Sequence, residues 1–309
     1  MPAVSSAIEV AGLTKRYDDR TVVDSISFSV GHGECFGILG PNGAGKTTTL
    51  EMIEGLRRPD GGSVSVLGSG PWPRDTTLLG RIGVQLQASA FIEHLTAIQQ
   101  LRTVTDLYGV PTTRAEEVLA QVGLTDAADR DVDALSGGQR QRLSIACALV
   151  HRPEVLFLDE PSAGLDPGAR RNLWEVVRTA RSDDTTVVLT THHMDEAEHL
   201  CDRVAIMDRG EILAIDTPAE LIRQLNAPTR LMLPPDALTV EDAGRVDGVE
   251  SVERDAGALT LVTRRAADSI QALASIGALD GLQVRSGTLE DVFITLTGRH
   301  LADPTEGPA

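Results

Sequence analysis

The chain has 309 residues, a formal net charge of −17 at pH 7 and 41% hydrophobic residues. This length suffices for one large domain and a smaller one, and the composition is that of a globular rather than a disordered protein. The negative charge opposes broad binding to nucleic-acid backbones, no apolar run approaches the roughly 20 residues that span a bilayer, and residues 1–10 lack the pattern of a secretory signal.

Strand patterns open the chain. Ile8–Val10 and Val22–Val23 carry apolar residues, and Ser25–Val30 alternates strictly between polar and apolar positions, which predicts strands around a turn. Tyr17 lies in the segment between them. It is either a half-buried loop aromatic or a ring that stacks on a nucleotide base, and the pattern leaves both interpretations open.

A glycine-rich stretch follows the short, mostly apolar pattern Glu34–Leu39, which predicts a buried strand. The stretch reads G-x-x-x-x-G-K-T and consists of Gly40, Pro41, Asn42, Gly43, Ala44, Gly45, Lys46, Thr47 and Thr48. Its glycines permit tight turns, and its backbone N–H groups and the start of the next helix favour phosphate oxygens. Lys46 would reach the β- and γ-phosphates, and the Thr47 hydroxyl would hold Mg²⁺. A plain turn before a helix is the alternative, but the strand–loop–helix context favours phosphate binding.

Mainly helical patterns follow this loop. Thr48–Leu56 predicts a helix, Ser63–Gly68 a strand, and Arg81–Gln87 a strand that ends in glutamine. Apolar residues then recur at helical spacing over 96–108 and 112–122. We therefore predict a mostly helical insert.

A second loop leads into a helix at Leu135–Gln139, ahead of an amphipathic run through Leu149. Ser136 occupies the position of an N-cap, and Gly137, Gly138 and Gln139 follow it. This loop is either an ordinary helix cap with flexible glycines or a second anion site.

Two later strand patterns end in polar side chains. The apolar run Val155–Leu158 is followed by Asp159 and Glu160, and the run 185–191 is followed by His192. Ligands bind at the carboxyl ends of strands in open α/β sheets, so we expect these side chains beside the phosphate loop. One carboxylate can help to hold Mg²⁺ while the other polarises an attacking water molecule.

The last part of the chain has a different composition. A predicted helix from Pro218 to Leu225 closes a first domain, residues 1–225. Three prolines lie between Asn226 and Pro235, so we place the boundary there. Residues 226–309 alternate between strand and helix patterns and predict a smaller α+β domain.

Together these motifs resemble the ATP-binding cassette (ABC) family, the nucleotide-binding subunits of ABC transporters. The resemblance covers residues 8–225. It implies an α/β fold: a P-loop NTPase core with an antiparallel β subdomain and a helical subdomain at about 88–150, to which the small α+β C-terminal domain is added. The matching motifs are the phosphate loop at 40–48, Gln87, the LSGGQ signature at 135–139, the strand that ends in Asp159 and Glu160, the segment Ser162–Asp166, and His192.

The resemblance also implies roles for these residues. ATP and Mg²⁺ are the implied ligands, with Thr47, Gln87 and Asp159 around the metal ion. Glu160 is the implied base and His192 the contact to the γ-phosphate, with Gln87 as the third catalytic residue. Tyr17 matches the base-stacking aromatic. In such proteins two copies face head to tail, so Ser136, Gly137, Gly138 and Gln139 of one copy cover the ATP of the other.

A narrower resemblance concerns the exporter ATPases of the daunorubicin-resistance type. The single cassette, the C-terminal extension and the ending Gly287–Gly298 carry it. It implies a cytoplasmic subunit on the inner face of the cell membrane that powers export of a drug, antibiotic or lipid-like compound through a separate multi-spanning permease. Nucleic acid is not an expected partner.

Three other functions share parts of this pattern. An importer subunit has the same cassette, and only its permease distinguishes it. A soluble ABC ATPase of DNA repair or translation would carry coiled-coil or zinc inserts or a second cassette, and none is visible here. A non-hydrolysing nucleotide sensor would not need Glu160 and His192.

Overall fold

The structure is a computed structural model that describes residues 6–86, 91–182, 184–225, 227–255 and 257–298. The chain forms two units, of which the first ends at Pro218 and the second begins at Ala219.

A six-stranded sheet forms the centre of the first unit. Its strands are β3 (Cys35–Leu39), β5 (Ile82–Gln85), β6 (Val155–Asp159), β7 (Thr186–Thr191), β8 (Arg203–Asp208) and β9 (Glu211–Asp216). They lie in the order β5-β6-β7-β3-β8-β9, parallel except for β9, which pairs antiparallel with β8. Every residue of β3, β6 and β7 is buried, because helices cover both faces of a parallel sheet and favour continuous apolar strands. The predicted α/β core is confirmed.

An antiparallel sheet of three strands accompanies this core. It contains β1 (Ser6–Tyr17), β2 (Arg20–Gly31) and β4 (Gly61–Val66), in the order β2-β1-β4. Alternate residues of β2, among them Ile26, Phe28 and Val30, point into the hydrophobic core, as the period-2 pattern predicts. The predicted antiparallel subdomain is therefore confirmed.

The helices of the first unit are α1 (Lys46–Ile53), α2 (Thr76–Leu79), α3 (Ala97–Tyr108), α4 (Thr113–Gln121), α5 (Gly137–Leu149), α6 (Pro167–Ser182) and α7 (Met194–Leu200). Helices α3, α4 and α5 form the helical insert. Thr96 starts α3 with a capping box, in which its hydroxyl accepts from Gln99 N and the Gln99 side chain accepts from Thr96 N. No helix of the described ranges combines the length and apolar character that crossing a membrane demands.

The second unit has its own antiparallel sheet. It consists of β10 (Thr229–Leu233), β11 (Val249–Arg254), β12 (Leu259–Thr263) and β13 (Gln283–Arg285), in the order β11-β12-β10-β13. Its helices are α8 (Pro218–Leu225), α9 (Val240–Gly244), α10 (Ala266–Ser275) and α11 (Leu289–Thr297). Buried leucines from β10, β12 and α10 form a separate core, which is the mark of an independent unit.

Helix α8 belongs with the second unit, although the composition of the sequence predicts it as the end of the first domain. The physical reason is local packing: a Cβ on Gly287, just before α11, would lie 3.5 Å from Ile222 Cγ2 of α8. An amphipathic pattern shows that a helix packs, but not which core it packs on.

One carboxyl group is buried at the end of helix α1. Glu54 is 2% exposed, and its Oε1 has no hydrogen-bond partner among the described residues. Burial, reinforced by the Asp159 and Glu51 carboxylates, raises the pKa of Glu54 from 4.5 to about 9. Glu54 is therefore protonated in the folded chain at neutral pH, whereas it ionises in the unfolded chain.

Replacement of Glu54 by glutamine should change how stability depends on pH. Below pH 4.5 the Glu54 carboxyl is neutral in both states; between there and about pH 9 only the unfolded chain ionises, so stability falls as pH rises. The loss is at most about 1.4 kcal/mol per pH unit. Urea unfolding of both proteins from pH 5 to 8.5 should show Glu54→Gln gaining stability relative to wild type with pH. Parallel curves would show that Glu54 is ionised in the folded chain.

Candidate nucleotide site

The phosphate loop connects β3 to α1, as the sequence predicts. Gly45 adopts φ +104°, and a Cβ there would lie 2.6 Å from Val22 O. A Cβ on Gly40 would lie 2.1 Å from Met207 O. Both positions therefore require glycine, the first for its backbone angle as well as its space.

Lys46 is the first residue of α1 and its side chain is buried. The ammonium donates to Gly40 O at 2.8 Å and to Pro41 O at 3.1 Å, both in the loop. It also pairs with Glu160 Oε1 at 3.0 Å. The three donors of the ammonium group thus hold the loop closed around it and tie it to the end of β6.

Asp159 lies beside this pair, between two threonine hydroxyl groups. Its Oδ1 accepts from Thr47 Oγ1 at 3.1 Å and from Thr190 Oγ1 at 2.5 Å. Burial raises the pKa of Asp159, the two hydroxyl groups partly offset this, and the neighbouring Glu160 carboxylate raises it further. A carboxylate and a hydroxyl group therefore converge where the loop meets β6.

Glu160 is held in an uncommon backbone conformation. Its φ is +48°, and its N–H donates to Thr190 Oγ1 at 2.9 Å. Its Oε2 lies 2.5 Å from His192 Nδ1. Burial alone would raise the pKa of Glu160, but the hydrogen bond with His192 and the charge of Lys46 outweigh it and lower the pKa. The carboxylate is therefore ionised, as a group that polarises water must be.

A cavity of about 290 Å³ opens at this point. It is lined by Val22, Asn42, Gly43, Gly45, Lys46, Thr47, Thr48 and Glu160. Backbone N–H groups, one ammonium group and a helix start surround it, which is the chemistry of a phosphate site.

The loop that contains Ser136 is built as a helix cap. Ser136 Oγ accepts from Gln139 N at 3.3 Å, and Gln139 Oε1 accepts from Ser136 N at 3.0 Å. Ser136 and Gly137 are exposed. Within the described residues, no hydrogen bond or ion pair joins residues 136–139 to residues 40–48. The structure of one chain does not bring the two predicted anion loops together.

Tyr17 and Gln87 are the two other predicted site residues. Tyr17 is the last residue of β1 and is 37% exposed. Gln87 lies outside the described residues, two positions beyond the end of β5.

Residues 23–163 match the family described as ABC transporter. The sequence is 39% identical to the daunorubicin/doxorubicin resistance ATP-binding protein DrrA of Streptomyces peucetius, over 96% of this chain and 94% of the relative. The chain belongs to the ABC transporter family. It is also 38% identical to the Nod factor export ATP-binding protein I of Ralstonia nicotianae, over 98% of each. It is 35% identical to the linearmycin resistance ATP-binding protein LnrL of Bacillus subtilis, over 96% of this chain and all of the relative.

Solved structures of ABC ATP-binding subunits share the fold. One, described as the ATP-binding subunit of an ABC transporter, superposes with a TM-score of 0.64 at 29% identity, over 71% of this chain and 93% of its own. The cbiO1 subunit of Clostridium perfringens has the same TM-score at 27% identity, over 72% and 94%. The predicted family and fold are confirmed, and as an ABC ATP-binding subunit this chain is an ATPase.

Thr190 is a site residue of this ABC ATPase that the sequence patterns do not single out. Its hydroxyl donates to Asp159 Oδ1 and accepts from Glu160 N, so a single side chain holds both acids. In the sequence it is one threonine among several in a buried strand, where threonine is common for its branched shape. The available signal is position: Thr190 lies directly beside Asp159 in the β6–β7 pairing.

Replacement of Thr190 by valine should slow ATP hydrolysis. Valine keeps the shape but removes the donor to Asp159 and the acceptor for Glu160 N, and such supporting contacts are typically worth about 10- to 100-fold in activity. Steady-state phosphate release measures the effect as a fall in kcat. Thr190→Ser, which keeps the hydroxyl, is the matched control and should stay close to wild type. Equal loss in both variants would show that packing, and not the hydroxyl, is what matters.

Proposed function

We propose that this ABC ATPase powers export of a drug, antibiotic or lipid-like compound through a separate multi-spanning permease, bound at the inner face of the cell membrane. The observation that carries the proposal is the extent of similarity. Proteins named for daunorubicin/doxorubicin and linearmycin resistance align over 96% of this chain, through both of its units. The solved ATP-binding subunits align over only 71% and 72%. Similarity that includes the second unit favours export, with residues 226–309 as an accessory domain.

In this proposal ATP binds at the cavity beside the phosphate loop, whose N–H groups contact its phosphates. The γ-phosphate takes the place of the Glu160 carboxylate as the partner of Lys46, because both are anions that compete for one ammonium group. Glu160 is then free to polarise the attacking water molecule. His192, which bonds Glu160 in the structure, contacts the γ-phosphate.

The residues present fit a magnesium ion. Mg²⁺ prefers oxygen ligands and is usually held by one or two carboxylates together with substrate phosphates. Thr47 and Asp159 supply a hydroxyl and a carboxylate that already lie 3.1 Å apart. We assign the ion to these two residues and Gln87. When bound, it neutralises charge on the phosphates.

The proposal includes a head-to-tail homodimer. Ser136, Gly137, Gly138 and Gln139 of one copy would cover the ATP held by the other. Two features support this arrangement: the loop is exposed at the start of α5, and a Cβ on Gly137 would have no neighbour within 4 Å. An exposed helix start suits the anionic phosphates of an ATP molecule held by a second copy.

We assign the permease contact to a groove beside the helical insert. The groove has a volume of about 390 Å³, and its lining includes Leu56, Leu86 and residues of α3 and α5, among them Tyr108 at the end of α3. These three apolar side chains are exposed, and Leu86 directly precedes Gln87. A permease segment bound there would contact Leu86, the residue directly before the glutamine that we assign to the metal ion, which would couple nucleotide state to permease position.

Replacement of Glu160 by glutamine should abolish turnover while nucleotide binding survives. The amide keeps the shape but cannot polarise water as a carboxylate does, so kcat should fall by about 10²- to 10⁴-fold. ATP affinity should hold or rise, because Lys46 loses a competing anion. Gel filtration in ATP should then show a stable dimer. Glu175→Gln, at an exposed glutamate of α6, is the matched control. Wild-type hydrolysis by Glu160→Gln would refute the assigned role, and a monomer in saturating ATP would refute the shared site.

Export itself can be measured in cells. The chain should be produced in cells together with a candidate permease, and survival measured in daunorubicin and in linearmycin. We expect wild type, but not Glu160→Gln, to raise survival with at least one compound. Equal survival for both proteins, with ATPase activity that nucleic acid stimulates in a salt-sensitive way, would contradict the export function.

A further inference from the structure

Two cationic side chains lie against the ring of Tyr17. Lys15 Nζ and Arg57 Cζ each lie 5.4 Å from the ring centroid. Both distances are within the range of attraction between a cation and an aromatic ring. Tyr17 as a whole is 37% exposed, so its side chain is also accessible to a ligand.

Both the backbone and the side chain of Arg57 are hydrogen-bonded to Glu51 of helix α1. Its backbone N donates to Glu51 O at 3.0 Å, and its Nε donates to Glu51 Oε2 at 2.6 Å. The guanidinium is charged at physiological pH, and the hydrogen bond to the Glu51 side chain raises the pKa of Arg57 further. The same helix begins at Lys46 of the phosphate loop. Arg57 therefore connects the Tyr17 ring to Glu51 of the helix that begins in the phosphate loop.

Lys15, unlike Arg57, is bonded to the segment that follows α1. Its ammonium donates to Arg58 O at 2.9 Å and to Asp60 Oδ1 at 3.1 Å, and Asp60 Oδ2 accepts from Arg16 N at 2.7 Å. These bonds fasten the end of β1 to the segment that follows α1. They fix the two residues that precede Tyr17. Arg57 approaches the ring from the segment after α1 and is held there by Glu51 of that helix.

We propose that Arg57 is a positioning residue for the nucleotide base: anchored on Glu51 of α1, it holds the Tyr17 ring at a fixed place relative to the phosphate loop. A base can then stack on the ring while the triphosphate of the same molecule occupies the loop. This inference rests on the proposed function, which assigns the base to Tyr17. It adds that the binding energy of the base, but not that of the phosphates, depends on Arg57.

The test compares ATP with inorganic tripolyphosphate, which has the phosphates but no base. Arg57→Ala should raise KM for ATP roughly two- to fivefold, the worth of one exposed contact between a cation and a ring, and leave kcat unchanged. The inhibition constant of tripolyphosphate should stay at its wild-type value. Arg58→Ala is the matched control, because the neighbouring Arg58 side chain is exposed and the variant keeps the carbonyl that accepts from Lys15. It should leave both constants unchanged.

A double-mutant cycle tests the role of Arg57 separately from the assignment of the base to Tyr17. Tyr17→Ala should raise KM for ATP, and Arg57→Ala added to Tyr17→Ala should raise it no further, because the ring through which Arg57 acts is gone. If Tyr17→Ala leaves KM unchanged, the assignment of the base to Tyr17 is wrong and the role of Arg57 is withdrawn with it. If Tyr17→Ala weakens ATP but Arg57→Ala does not, only the inference about Arg57 fails. Equal weakening of ATP and tripolyphosphate by Arg57→Ala would also overturn it, since Arg57 would then act on the phosphate loop.

Discussion

The buried ion pair between Lys46 and Glu160 is the interaction on which the rest of the site depends. The two side chains are 5% and 6% exposed, and removing such charges from water costs several kcal/mol per ion. The pair persists because its remaining bonding positions are filled: two loop carbonyls accept from Lys46, and His192 bonds the second oxygen of Glu160. Loss of one partner would leave an uncompensated buried charge, a penalty of about 3–5 kcal/mol.

The parallel sheet brings these groups together. Strands β3, β7 and β6 lie side by side and run in the same direction, so their carboxyl ends supply the loop, then Thr190 and His192, then Asp159 and Glu160. Charge balance at this edge also explains how binding and chemistry are connected in the proposed mechanism. In that mechanism an anionic phosphate would compete with the Glu160 carboxylate for the Lys46 ammonium group, so binding of the substrate would release the proposed base.

Much of this site is predictable from sequence, because each motif lies where a buried strand ends. The ends of β3, β6 and β7 are recognisable from apolar runs followed by polar residues. Thr190 could not be predicted as a site residue, because its hydroxyl bonds Asp159 and Glu160 from within a strand, where threonine is common. The ion pair of Lys46 with Glu160 could not be predicted either, because it depends on the order of the strands in the sheet, which local sequence patterns do not contain. The end of the first unit could not be predicted, because the amphipathic pattern of α8 does not show which core the helix packs against.

The environment of Lys46 is the most direct test of this account. The chain contains only two lysines, Lys15 and Lys46, so lysine labelled with ¹³C and ¹⁵N gives two sets of side-chain NMR signals, and Lys15→Arg assigns them. We expect the Lys46 signal to shift in Glu160→Gln, and in the wild type to shift on addition of ATP as phosphate replaces the carboxylate. A Lys46 signal that coincides in wild type and Glu160→Gln would show that the ion pair does not exist and would contradict the central claim.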